Sequence, residues 1–413
     1  MTLPDTPTVP PERRVTLEAV FERTRSHPPS DLAAIIKQDL RIDLTTRYGG
    51  VPIAHPFGKA SGQLSCTLAQ VEDDMQAGLA FVVLKTVVAE DSTGGRSMGA
   101  WSVRDTKMQV ETRISATGRE GWTVTWTGRG WHGTLADYLE FFEQALVLAG
   151  DSNTPIIPSV KYHLPVRGEP FREAEYEHTT TQLIEVWNRA GSGGDLILEK
   201  DFSPTLAGDQ RSGDPSTVLR WLERVPGLIV SAGRGCVRLG VKVMNGIAGD
   251  EFQIAMLKTL MEAEPAPAFL IVFNRLFDTA KGVAFGGWDL SDRNLRVLDM
   301  AHQRSLRLPP PPPPPPSPPP PPLSATGNIC SGRMMLEYAL RGCENGQVHT
   351  FFQLPRSEYT ATGGNRSAAA LHTLLLHPSE GLVPWLWHLH ETGSLEEVDG
   401  LLRFHDVIGL GHA

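Results

Sequence analysis

Eight short apolar runs, each followed by a stretch with helical spacing of its apolar residues, constrain this chain more than any other feature. The runs are VPIAHPFGKASG (51–62), AFVVLKTVV (80–88), TPIIPSVKYHL (154–164) and DLILEKDF (195–202). They continue with GVKVMNG (240–246), FLIVFNRL (269–276), LSATGN (323–328) and QVHTFFQL (347–354). Between them lie segments such as ADYLEFFEQALVLAG, STVLRWLERV and DEFQIAMLKTLMEAE, which carry apolar residues on one helical face. Strands apolar along most of their length suit a parallel sheet covered by helices. Eight such alternations predict a (β/α)₈ barrel, with an open doubly wound sheet as the alternative. No GxGxxG follows the first run, so the dinucleotide-binding version of the open sheet has no fingerprint here.

Residues 1–40 are an N-terminal extension, a proline-containing lead followed by the helical DLAAIIKQDL, and 41–413 form the barrel. Two interruptions stand out. Between the second and third strands, about residues 89–135 are glycine-rich and carry Trp101, Trp122, Trp126 and Trp131. That elaborated loop is either a lid over a planar ligand or aromatic packing at the barrel rim. Before the seventh strand, 309–322 is an almost pure proline run. A polyproline II segment of that length reaches roughly 43 Å. It is an insertion in a helix-to-strand connection, either a tolerated expansion on the face opposite the active site or a docking segment for a polyproline-binding partner.

The composition narrows the function classes. A net charge of −9 lacks the cationic excess of a nucleic-acid binder. No apolar run approaches the ~20 residues that span a bilayer, and MTLPDTPTVPPERR has no apolar leader core. The four cysteines, Cys66, Cys236, Cys330 and Cys343, show no CxxC spacing and no metal set. These features lead to the expectation of a cytoplasmic protein acting on a small molecule.

In a barrel the chemistry sits at the C-terminal ends of the strands. Lys85 in FVVLKT and Lys242 in GVKVMN end otherwise apolar strands. Such a lysine is costly unless it meets an anion or a carboxylate. In SATGNICSGRMM a strand, a glycine turn and a helix start follow one another, a geometry in which backbone N–H groups can hold a phosphate. The glycine pair of FGGWDLSDRN is a second such turn, although glycine turns also simply close strand–helix corners.

At these residues the chain resembles the dihydroorotate dehydrogenase family, the flavin mononucleotide (FMN) barrels. DLTTRYGGVPIAHPFGKASGQLS is similar to the family's opening, AGLAFVVLKTVV to its second strand, GVKVMNG to its fifth and LIVFNR to its sixth. FGGWDLS and ATGNICSGRMMLEYALRGC resemble its two glycine turns. The likeness spans roughly residues 42–402. It implies FMN, with Ala60, Ser61, Gly62, Lys85 and Thr86 along the ring and Lys242 at its pyrimidine edge. It also implies Gly286, Gly287, Gly327 and Asn328 at the phosphate, and Lys85 and Asn274 at the substrate. Homodimers are common in the family, so a dimer is implied too.

The fourth strand departs from the family pattern. Where the family has asparagines around a Cys or Ser base, this chain reads EKDFSPTLAG. Ser203 aligns with the base, Asp201 and Lys85 compete for its role, and Thr205 replaces a substrate asparagine. Phe352 stands where the family has a threonine. Trp126 and Trp131 would contact a larger or more aromatic substrate. Each unmatched polar group of a buried planar imide costs ~1–3 kcal/mol, so the expected activity is hydride transfer between flavin N5 and a substrate other than orotate. The alternatives are genuine dihydroorotate oxidation and a non-redox scaffold that works through its proline run.

Overall fold

A computed structural model of the chain describes residues 3–102, 108–126, 130–150, 152, 154–202, 214–307 and 320–412. The proline run up to 319, Ser203 and Thr205 lie outside the described residues. The chain divides into two compact units. One comprises Met1–Val83, Leu148–Ile156 and Ser324–Ala413, the other Leu84–Val147 and Ile157–Leu323.

In the second unit five parallel strands lie side by side in chain order: Val87–Val88, Ser159–Lys161, Leu196–Asp201, Val237–Met244 and Phe269–Asn274. The registers place Ser159 beside Glu199 and Asp201 beside Lys242. The strand Leu196–Asp201 is buried on both faces, as its continuous apolar start LIL requires. Helices Glu173–Arg189, Pro215–Ala232, Asp250–Met261 and Trp288–Arg307 follow the strands. Pro215 opens its helix at a position where a missing N–H costs nothing, and Asp214 caps it by accepting from Ser216 N–H.

In the first unit Cys343–Val348 pairs in parallel with Phe57–Lys59, which pairs in turn with Val82. Helices Leu68–Gln76, Gly332–Leu340, Arg366–Leu376 and Leu382–Glu391 belong to this unit. The N-terminal residues supply two helices to it, Pro11–Thr24 and Leu32–Leu40, and the first buries Leu17, Val20 and Phe21. A buried ion pair ties the strand Phe57–Lys59 to the helix Leu68–Gln76: Lys59 Nζ lies 2.9 Å from Asp74 Oδ1 and 3.2 Å from Ser367 Oγ.

Neither run of strands reverses its order, as an open doubly wound sheet would at its switch point. The two runs establish a parallel α/β architecture with helices between the strands. No described helix is long and apolar enough to cross a membrane.

Three expectations change. The last strand is Cys343–Val348, and Thr350–Gln353, placed in it from the sequence, is a 3₁₀ turn. Cys343–Gly346 was hard to see as a strand because Asn345 and Gly346 have poor strand propensity, and only pairing of Gly346 with Phe57 fixes it there. The third run is split into Ile156–Ile157 and Ser159–Lys161, at Pro158, which has no N–H for a ladder. The long segment after the second strand is not a bare loop. It forms an antiparallel hairpin, Met108–Ile114 with Glu120–Trp126.

Candidate functional site

The candidate residues fall into one set in each unit. In the second unit a row of polar side chains crosses adjacent parallel strands. Thr86 Oγ1 and Ser159 Oγ are 3.0 Å apart, Ser159 Oγ lies 3.5 Å from Glu199 Oε1, and the same oxygen accepts from Lys242 Nζ at 3.3 Å. Glu199 is fully buried and Lys242 is 4% exposed. A buried pair of this kind persists only when the partner charge and hydrogen bonds offset desolvation. Tyr138 lies beneath the row, its oxygen accepting Ser159 N–H at 3.4 Å. Burial, reinforced by the charge of Glu199, pushes its phenol far up, so it stays neutral.

Side chains on a strand alternate between faces, so Asp201 shares the face of Glu199. Its Oδ1 is buried and has no hydrogen-bond partner among the described residues. Lys200 occupies the opposite face. Its Nζ donates to the Asp201 carbonyl at 3.1 Å and sits 4.6 Å from the Phe202 ring. Burial, with Lys161 nearby, holds its amine well below the usual lysine range. Lys161 itself is buried, its ammonium 3.6 Å from the ring centre of Trp101.

The hairpin determines what surrounds the sixth strand end. Arg275 is buried, and burial lowers its guanidinium to about 9. It donates to the Val124 carbonyl and, at 3.4 Å, to Thr123 Oγ1. Thr123 Oγ1 also accepts Gly286 N–H at 2.9 Å, and Trp288 Nε1–H donates to the Glu120 carbonyl. The Gly286 amide is therefore engaged by the hairpin. Gly287 follows with φ +79° at the start of the helix. Asn274 Oδ1 accepts the N–H of Arg275 at 3.0 Å, and the Asn274 carbonyl accepts from Asn245 Nδ2. The Trp131 ring stacks on Phe141 at 5.3 Å, and its backbone N–H donates to the Thr86 carbonyl at 2.7 Å. The backbone of Trp126 pairs with Met108 at the end of the hairpin, and its side chain lies outside the described residues.

In the first unit Ala60 N–H donates to the Val348 carbonyl at 2.9 Å, which sets Ala60–Gly62 beside the end of the last strand. A Cβ at Gly62 would stand 2.0 Å from Nε2 of His349, so the imidazole lies directly on this glycine. His349 Nδ1 is held by Gln353 Nε2 at 2.7 Å. Gly327 and Asn328 both take positive φ, +113° and +52°. The helix Gly332–Leu340 that follows has its first amides occupied: Arg333 N–H donates to the Glu380 carbonyl and Met334 N–H to Ser331 Oγ. Any phosphate contact here would rest on the 327–328 turn and not on the helix end. Phe352 packs over Lys59 Nζ at 4.1 Å.

Sequence reasoning missed Ser159, Glu199 and His349, and it noted Lys161 at a strand end without giving it a role. Glu199 carried the same signal as the lysines, a charged residue inside an apolar run, and was passed over because the lysines alone matched a flavin pattern. Among the described residues no three His, Cys, Asp or Glu side chains group to hold a metal ion. No protein-family model matches the chain, and no curated protein sequence matches it.

Proposed function

We propose that this protein is an FMN-dependent oxidoreductase of dihydroorotate dehydrogenase type, built on a (β/α)₈ barrel and acting on a substrate other than orotate. The observation that carries the reading is the buried row Thr86–Ser159–Glu199–Lys242 across adjacent parallel strands. It puts a held ammonium and a hydroxyl at two of the positions that the family likeness assigns to the flavin ring. The ring-side residues therefore fit the group. The phosphate-side residues fit in part, since Gly286 is committed to Thr123 while Gly287, Gly327 and Asn328 keep the backbone conformation of a tight turn.

When bound, FMN supplies a hydride acceptor or donor at N5. The chain's own residues do the rest. Lys242 holds the pyrimidine edge and Thr86 the ring. Lys85 and Asn274 orient the substrate, though the carboxamide oxygen of Asn274 is already drawn to Arg275 N–H. That commitment weakens recognition of an imide and supports a substrate other than orotate. Asp201, with a carboxylate oxygen that nothing described hydrogen-bonds, is the residue that takes the substrate proton.

The test is the visible spectrum of the purified protein, with identification of any chromophore released on denaturation. The expected result is near-stoichiometric FMN that dihydroorotate does not bleach. A colourless protein that also refuses added FMN overturns the reading.

A further inference from the structure

Lys242 is not a bare cation. Its Nζ lies 3.3 Å from a carboxylate oxygen of Glu199, and Glu199 is fully buried. Ser159 Oγ lies 3.5 Å from the same carboxylate oxygen, with Thr86 Oγ1 behind it and the un-ionised Tyr138 below. In a medium of low dielectric, two opposite charges this close act on a third group largely as a dipole. A lysine beside a flavin pyrimidine edge stabilises the reduced ring, which after taking a hydride at N5 carries a negative charge at its pyrimidine end. A carboxylate behind that lysine offsets the effect.

We propose that Glu199 is a positioning and charge-compensating residue, which fixes Lys242 at the strand end and keeps the flavin's reduction potential low. This rests on the FMN reading above. Glu199 acts through Lys242, whose ammonium it holds at 3.3 Å. Leu196–Asp201 and Val237–Met244 run in parallel register with Asp201 opposite Lys242, and the ammonium reaches back along the strand to Glu199. Glu199 is then two residues back on the same face.

The experiment is spectroelectrochemical titration of the FMN-loaded wild type and the variants Glu199→Gln, Lys242→Gln and the double variant. Glu199→Gln removes the compensating charge and keeps the shape. Its potential should rise by ~30 mV or more, a tenfold gain in preference for reduced over oxidised flavin for a two-electron couple. Lys242→Gln should fall by a similar amount, and the double variant should return towards wild type. If Lys242→Gln shifts the potential and Glu199→Gln does not, or shifts it downward, the role of Glu199 is overturned and the flavin reading stands. If the wild type takes up no FMN, or Lys242→Gln leaves the potential unchanged, both fall. Should Glu199→Gln not fold, the double variant decides: a potential as low as that of Lys242→Gln alone rules out compensation.

Discussion

Gly62 shows how one missing methyl group shapes a strand end. The edge of the His349 ring occupies the space a Cβ would need, at 2.0 Å from Nε2, and Gln353 pins the other ring nitrogen. Gly62→Ala must displace a ring that is already anchored, and overpacking of this kind costs ~1–3 kcal/mol. Chemical denaturation should show that loss, and Gly62→Ala/His349→Ala should recover part of it. An alanine variant as stable as wild type would mean that the ring moves aside freely. A second residue, His55, sets a pH response. Phe57 N–H donates to its Nδ1 at 3.2 Å, which leaves the proton on Nε2 to reach the Gly78 carbonyl at 2.8 Å. Both nitrogens are used only in the neutral ring, and burial lowers the group to about 4. His372, lowered by burial to about 4 as well, adds to this. The unfolded chain then binds more protons than the folded one between about 4 and 6.5, so this stability is complete above 6.5 and is lost as pH falls towards 4. The thermal midpoint, followed by circular dichroism, should drop across that window; a flat midpoint would contradict neutral histidines in the folded state.

At the scale of elements, the hairpin Met108–Ile114/Glu120–Trp126 is the part least expected. Its glycines and tryptophans suggest a loop, yet consecutive residues of its second strand serve a neighbour: the Trp122 carbonyl lies near Gly287, while Thr123 holds Gly286 N–H and Arg275. Thr123→Val keeps the shape and leaves a buried amide donor unmatched, at a cost of ~1–3 kcal/mol. Denaturant unfolding of that variant should give a lower midpoint with an unchanged slope, and equal midpoints would show that the hairpin is not held through this hydroxyl. The strand period was present in the sequence, in Met108, Val110 and Ile114 alternating with Gln109, Glu111 and Arg113 and in Trp122, Val124 and Trp126 alternating with Thr123 and Thr125, but the flanking glycines made the segment read as a loop. The eight runs, by contrast, were legible because burial on both faces leaves a continuous apolar signature. Their ends were less so, as the last strand shows, where pairing of Gly346 with Phe57 overrides a weak local preference.

For the whole molecule, the two runs of parallel strands with intervening helices follow from the repeated pattern of apolar run and amphipathic segment. That pattern is a local property: each run of six to twelve residues carries its own burial signal, whatever the others do. The positions of the buried lysines were likewise visible, because a charge within an apolar run is anomalous wherever it occurs. What each lysine meets is not local. Lys242 is bound to Glu199 because two strands lie in one register, and Lys161 lies against Trp101 because the segment after the second strand folds back. Lys59, read only as part of a strand, proves to be half of a buried ion pair with Asp74. The sequence by itself determined the class of fold and which residues are too polar for their surroundings. Only the tertiary structure decided their partners, since a buried charge is matched by whatever chain packing brings within a few ångströms, and that neighbour lies tens or hundreds of residues away.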